Sequence, residues 1–170
     1  MLLELIPSDA SSPLSVSERD LAALAACERG TILLDVSARA DATLMALTGT
    51  NGRIALELRG GRLYGEQVLG ADGSPAAGPE AGDGVERRIL DAEDALGLDD
   101  GRPHTIALSV NETGTHLYAD GYECFSTTLT AFLAQIGLTG VSIDPDGIAE
   151  VTRLAAWAEP LSDRAVMAQS

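Results

Sequence analysis

The stretch Arg102 to Ser126, RPHTIALSVNETGTHLYADGYECFS, constrains this chain more than any other. His104, Ile106, Leu108 and Val110 alternate with Thr105, Ala107 and Ser109, the period-2 pattern of a half-buried strand. Asn111 to Gly114 is a short polar break, and Thr115 to Ala119 reads as a second strand. Asp120-Gly121 predicts a type I′ turn, whose residues must accept positive φ. Tyr122 to Ser126 returns as a third strand. Three short antiparallel strands in one run form a meander, a unit that buries its apolar face only by packing on another sheet.

Short alternating segments recur on both sides of the meander. Leu2 to Ile6 predicts an edge strand that pairs near the C-terminus. Thr31 to Ala38, Thr43 to Leu47, Val85 to Leu90, Val141 to Ile143 and Ala149 to Ala158 read as further strands. Glu18 to Cys27 reads as a short helix capped by Ser17 and ended near Gly30; Leu161 to Ala168 reads as another, capped by Ser162. Asp91 to Leu98 has the spacing of a helical turn, and Leu129 to Ile136 that of a short helix or a turn-rich crossing. These segments predict an all-β sandwich of antiparallel strands with short peripheral helices, and residues 1–170 are expected to form one domain.

The hairpin of Arg53–Arg59 and Arg62–Leu69 is the most informative pair in the first half. A two-residue turn at Gly60-Gly61 sets Arg59 opposite Arg62, Glu57 opposite Tyr64, Ala55 opposite Glu66 and Arg53 opposite Val68. Ile54, Leu56, Leu58 and Leu63 then take the core face. The other face carries Arg53, Glu57, Arg59, Arg62, Tyr64 and Glu66, and must meet water or a ligand. Ala71 to Gly84 is a glycine- and proline-containing loop, the second place where a binding site would be sought.

Composition excludes several function classes. The formal net charge is −15, and every one of the eleven basic residues is arginine. Such a chain repels nucleic-acid phosphates and anionic membranes. No apolar run reaches the roughly 18 residues of a membrane span, and Met1 to Ile6 lacks the basic start of a signal peptide. The chain is expected to be extracellular if it is a module of a secreted enzyme, and otherwise cytoplasmic. Cys27 and Cys124 fit either one disulfide or two buried thiols. No E-x-D-x-x-E string offers the paired carboxylates of a hydrolytic jelly roll, and no nucleophile elbow is present. His104 is in phase with core residues and reads as structural; His116 reads as an exposed strand residue.

The sequence resembles the laminin-G-like, concanavalin A-like jelly rolls. Asp100-Gly101-Arg102-Pro103-His104-Thr105-Ile106-Ala107-Leu108-Ser109-Val110 and Leu117-Tyr118-Ala119-Asp120-Gly121 are similar to the family phrase "D-G-x-W-H-x-V-A-L-x-V … L-Y-V-D-G", with Pro103 in place of an aromatic. Ile148 to Arg164 approximates the family's closing "I-x-x-V-R-I-Y-N-R-A-L-S-D-x-E". The nearest resemblance is to the lectin-like modules attached to sialidases and other glycoside hydrolases. Gly65-Glu66 resembles the G-x-E-x-R strand of the sialic-acid-binding members, in which the arginine holds the sugar carboxylate. Here that position is Val68, with Arg53 opposite as the substitute.

The resemblance implies a non-catalytic carbohydrate-binding module, an accessory of a glycoside hydrolase such as a sialidase or fructosidase. Its alternative is a module that packs on a catalytic domain or subunit without binding sugar. The expected sugar contacts are Arg53, Glu57, Tyr64 and Glu66. No cofactor is expected. Calcium is common in laminin-G-like folds, and Asp99-Asp100 and Asp144-Pro145-Asp146 carry its oxygen-ligand type, although both are also turn formers.

Overall fold

The structure is a computed structural model that describes residues 1–9, 13–70, 84–94 and 96–170. Its eleven strands are β1 (Leu3–Leu5), β2 (Gly30–Ser37), β3 (Ala42–Gly49), β4 (Gly52–Arg59), β5 (Arg62–Leu69), β6 (Glu86–Asp91), β7 (His104–Asn111), β8 (Gly114–Ala119), β9 (Tyr122–Thr127), β10 (Leu138–Ile143) and β11 (Glu150–Trp157). Two short helices accompany them, α1 (Glu18–Ala25) and α2 (Asp163–Gln169). A six-stranded sheet has the order β1-β11-β2-β7-β8-β9, and a five-stranded sheet the order β10-β3-β4-β5-β6. All pairings are antiparallel. This is the expected jelly-roll sandwich.

The two predicted tight turns are present. Gly60 and Gly61 have φ of 57° and 74°, and Asp120 and Gly121 have φ of 50° and 84°, the type I′ signature. Asp120 tolerates the left-handed conformation because its side chain is anchored: Oδ1 accepts from the Thr105 amide at 2.9 Å. Alternation then sorts the residues. Ile32, Leu34, Ile106, Leu108, Leu117 and Leu154 of one sheet face Leu47, Ile54, Leu56, Leu58, Leu63 and Leu90 of the other, all nearly or fully buried. Phe132, Leu133 and Ile136 close one end of the sandwich from a turn-rich crossing, the second of the two conformations that Leu129 to Ile136 allows.

Several expectations are corrected. β2, β7 and β11 are covered on both faces in their middles. Leu33, Ala107, Ala155 and Trp157 form a separate apolar layer on the outer side of the six-stranded sheet, beneath Val166 of α2. Trp157 is therefore buried, but outside the space between the sheets. This layer also buries a hydroxyl pair: Thr31 Oγ1 lies 2.9 Å from Ser109 Oγ and accepts from the Leu161 amide at 2.9 Å. The described residues between Ala92 and Leu98 form no helical turn. Their amides reach instead to Gly61, whose carbonyl accepts from Leu96 and Leu98. α1 keeps its Ser17 cap but ends at Ala25; Gly30 opens β2 rather than closing the helix. The loop expected over Ala71 to Gly84 lies, up to residue 83, outside the described residues.

Both cysteines are free thiols, each donating to a main-chain carbonyl, Cys27 to Ala23 and Cys124 to Leu117. Burial raises both pKa values, that of Cys124 to about 11. They behave as small core residues. His116 is half-buried against Thr113 and Glu123 rather than exposed. Asp100 and Asp144 act as turn formers. Asp100 accepts from the Arg102 amide, and Asp144 from those of Ile148 and Ala149.

Candidate functional site

The β4–β5 register is the one the turn predicts. Arg59 pairs with Arg62, Glu57 with Tyr64, Ala55 with Glu66 and Arg53 with Val68. Burial alternates strictly along β4, so Ile54, Leu56 and Leu58 turn inward while Arg53, Ala55, Glu57 and Arg59 turn outward. All four expected contacts, Arg53, Glu57, Tyr64 and Glu66, therefore lie on the outer face of the five-stranded sheet.

β6 completes that face. It pairs with β5 so that Arg87 stands beside Val68, Ile89 beside Glu66 and Asp91 beside Tyr64. One row across the sheet thus reads Arg53, Val68, Arg87. Val68 is 7% exposed, and a guanidinium stands on either side of it. The next row reads Ala46, Ala55, Glu66, Ile89, in which the two alanines leave a low floor at the centre of the sheet.

Glu66 joins the two arginines. Its Oε1 accepts from Arg53 Nε at 3.2 Å and from Arg53 Nη2 at 2.5 Å; its Oε2 accepts from Arg87 Nη2 at 2.9 Å. Burial would raise the Glu66 pKa, but the hydrogen bonds from Arg53 and Arg87 outweigh it, and the carboxyl is held below its ordinary value. Two guanidiniums thus share one carboxylate. The Arg53 and Glu66 side chains are only 18% and 16% exposed, so the cluster is partly withdrawn from water.

The hairpin tip is arranged differently. Arg59 Nε donates to Glu57 Oε2 at 2.7 Å, and its guanidinium carbon lies 3.7 Å from the Tyr64 ring centroid. Arg59 therefore occupies one face of the ring that was expected to meet a sugar. Arg62 pairs with Asp91, Nη2 to Oδ2 at 3.2 Å. Beside Glu57 lies a shallow depression of about 190 Å³, lined by Asp41, Thr43, Glu57, Arg59 and Asp146. A cavity of about 540 Å³ elsewhere, between Ile6, Leu14, Ile143 and Val151, shares no residue with this face.

On the outer faces of β4, β5 and β6, four arginines meet three carboxylates, in a protein of net charge −15. The residue that the sequence did not single out is Arg87. Its signal was present, an arginine pair within a predicted strand, but only the β5–β6 register places it beside Val68.

The architecture is that of a concanavalin A-like jelly roll, and its fold is similar to that of lectin-like modules of sialidases. The Ruminococcus gnavus IT-sialidase CBM40 is similar at a TM-score of 0.67 and 17% identity, covering 99% of this chain and 98% of that one. The same module bound to α2,3-sialyllactose gives a TM-score of 0.66, 17% identity, and coverage of 99% and 98%. The leech intramolecular trans-sialidase, complexed with 2,7-anhydro-Neu5Ac, gives a TM-score of 0.67 at 16% identity, covering 99% of this chain and 28% of that one. No family model and no curated protein sequence matches the chain. The likeness is one of fold.

Proposed function

We propose that this chain is a non-catalytic carbohydrate-binding module that takes an acidic sugar on the outer face of the five-stranded sheet. The observation that carries the reading is the row Arg53, Val68, Arg87 with Glu66 beneath it. Two guanidiniums converge on this point in a partly desolvated setting, which suits a sugar carboxylate. Val68 occupies the strand position where sialic-acid-binding members resembled by this chain have arginine. Arg53 and Arg87, from the strands on either side, supply guanidiniums beside the same point. The Ala46–Ala55 floor leaves room for a ring, and Tyr64, Glu57 and Glu66 offer polar groups to its hydroxyls.

The same geometry argues against hydrolysis. Glu66 is held ionised by two arginines, so it is a poor general acid, and Glu57 is committed to Arg59. The chain then serves as an accessory of a glycoside hydrolase, and its place is outside the cell if that enzyme is secreted. No helix among the described residues is long and apolar enough to cross a membrane.

A second reading has its own observation. The pairs Arg59–Glu57 and Arg62–Asp91 are hydrogen-bonded without a ligand, through Nε to Oε2 and Nη2 to Oδ2, as a packing module would allow. Calorimetric titration of 3′-sialyllactose and galacturonate, with lactose as the neutral control, separates the two. Binding of an acidic sugar that weakens about tenfold or more in both Arg53→Ala and Arg87→Ala supports the module. Binding unchanged in Arg53→Ala and in Tyr64→Ala, with the fold intact, moves the site off this face. No binding of any sugar leaves the packing role.

A further inference from the structure

We propose that His104 is a pH-operated clasp that fastens the segment 96–101, and through it the tip of the β4–β5 hairpin, to the six-stranded sheet. The proposal rests on the fold and needs no ligand.

His104 opens β7 and is held at both ring nitrogens. Nδ1 lies 2.8 Å from Asp120 Oδ2, and Nε2 lies 3.0 Å from Asp100 Oδ1. Carboxylates only accept, so both contacts are hydrogen bonds only when both nitrogens carry protons, that is, in the imidazolium. Neutral imidazole has a single N–H. Its other nitrogen then points a lone pair at a carboxylate oxygen, and one arm of the clasp becomes repulsive.

The two arms are not equally braced. Asp120 sits in the β8–β9 turn, and its second oxygen accepts from the Thr105 amide at 2.9 Å. Asp100 also accepts a main-chain amide, that of Arg102, but it belongs to a segment without regular structure. The Asp100 arm is therefore the one that yields.

That segment bridges the two sheets. Leu96 and Leu98 amides donate to Gly61 O at 3.2 and 3.0 Å, at the hairpin tip of the five-stranded sheet. The Leu98 side chain is fully buried in the core. At the other end, the Gly101 amide donates to Ala38 O at 2.8 Å, just past β2. Its last tie is Asp100 to His104. The hairpin tip so fastened carries Arg59 and Arg62.

The charged groups around His104 are few. Asp100 is accompanied by Arg102, whose amide it accepts and whose guanidinium lies 3.9 Å away. Arg39 lies against Gly101. From β2, the register neighbour of His104 is Val36, and the adjacent Asp35 is engaged by Thr105 Oγ1 and Arg153. From the β8–β9 turn comes Asp120 alone. Burial would lower the His104 pKa, but the hydrogen bonds to Asp120 and Asp100 outweigh it and hold it above 6.5. A raised folded value means the clasp is closed below the ordinary histidine range and opens as pH rises through that value.

The test is NMR on the whole chain from about pH 5 to about pH 9, following the His104 ring and the exchange of individual amides. His104 is expected to titrate above its ordinary value. Through that titration the Leu96 and Leu98 amides should lose about tenfold in protection after correction for intrinsic exchange, while the Leu108 amide in the core stays constant. His104→Gln should show the low protection at every pH. Asp100→Asn, which keeps the histidine and an oxygen to accept from the Arg102 amide, should lower the His104 value and open the segment at lower pH. Protection of Leu96 and Leu98 that stays flat through the His104 titration overturns the proposal. So does a His104 value unmoved by Asp100→Asn.

Discussion

Glu66 is ionised because two arginines hold it, and the same two arginines are the ones proposed to meet a ligand. Its folded pKa is depressed, so the pairing contributes stability that is fully present above the unfolded value of 4.5 and is lost as pH falls through the folded value. Glu66→Gln removes that dependence. The gap in melting temperature between wild type and Glu66→Gln is therefore expected to narrow as the pH is lowered from about 6 to about 3. A gap that stays constant in calorimetric scans would show that Glu66 keeps its ordinary acidity. Tyr118 is a second residue whose surroundings dictate its state. Burial and the Asp163 carboxylate, which accepts from its hydroxyl at 2.8 Å, both raise its pKa, so it remains a neutral donor throughout. Removing that hydroxyl in Tyr118→Phe leaves Asp163 without this donor, and should cost about 0.5–1.5 kcal/mol in urea unfolding. A smaller change would mean that water replaces the bond at no cost.

Among the elements, β7 occupies the middle of the six-stranded sheet, and Leu108 at its centre is fully buried. Leu108→Ala is expected to destabilise by about 2–5 kcal/mol, measured by denaturant unfolding. A loss below about 1 kcal/mol would contradict its position between the sheets. The strand was legible because the meander alternates and its turn is short. The β4–β5 face was legible for the same reason: a two-residue turn leaves no freedom in register, so one glycine pair fixes eight cross-strand neighbours. β6 lacks such a turn. It follows a long connection, and its Glu86-Arg87-Arg88 reads in sequence as a charge run that fits either register. Arg87 therefore escaped detection, although it stands beside the residue that mattered most. α2 was legible as a helix through its Ser162 cap, but the surface it covers was not. Leu33 and Ala107 alternate with core residues, and nothing in the sequence says that both faces of β2 and β7 are roofed.

At the scale of the whole molecule, charge opposes the proposed ligand. The chain carries −15, while the proposed site brings two guanidiniums onto Glu66. These act over different distances. Below about 0.01 M salt the screening length is about 30 Å, so an approaching anion meets the field of the entire acidic surface. Near 0.15 M it is about 8 Å, and the anion meets mainly the arginines of the face. Added salt should thus speed association. It weakens the final contacts less, because Arg53 and Glu66 are largely screened from solvent by the protein. The expected result is an association rate for 3′-sialyllactose that rises about threefold between about 0.01 and about 0.15 M salt, with a smaller change in dissociation. Stopped-flow or surface-plasmon measurements decide it. An association rate that falls with salt would mean that the arginine-bearing face, and not the net charge, governs the encounter.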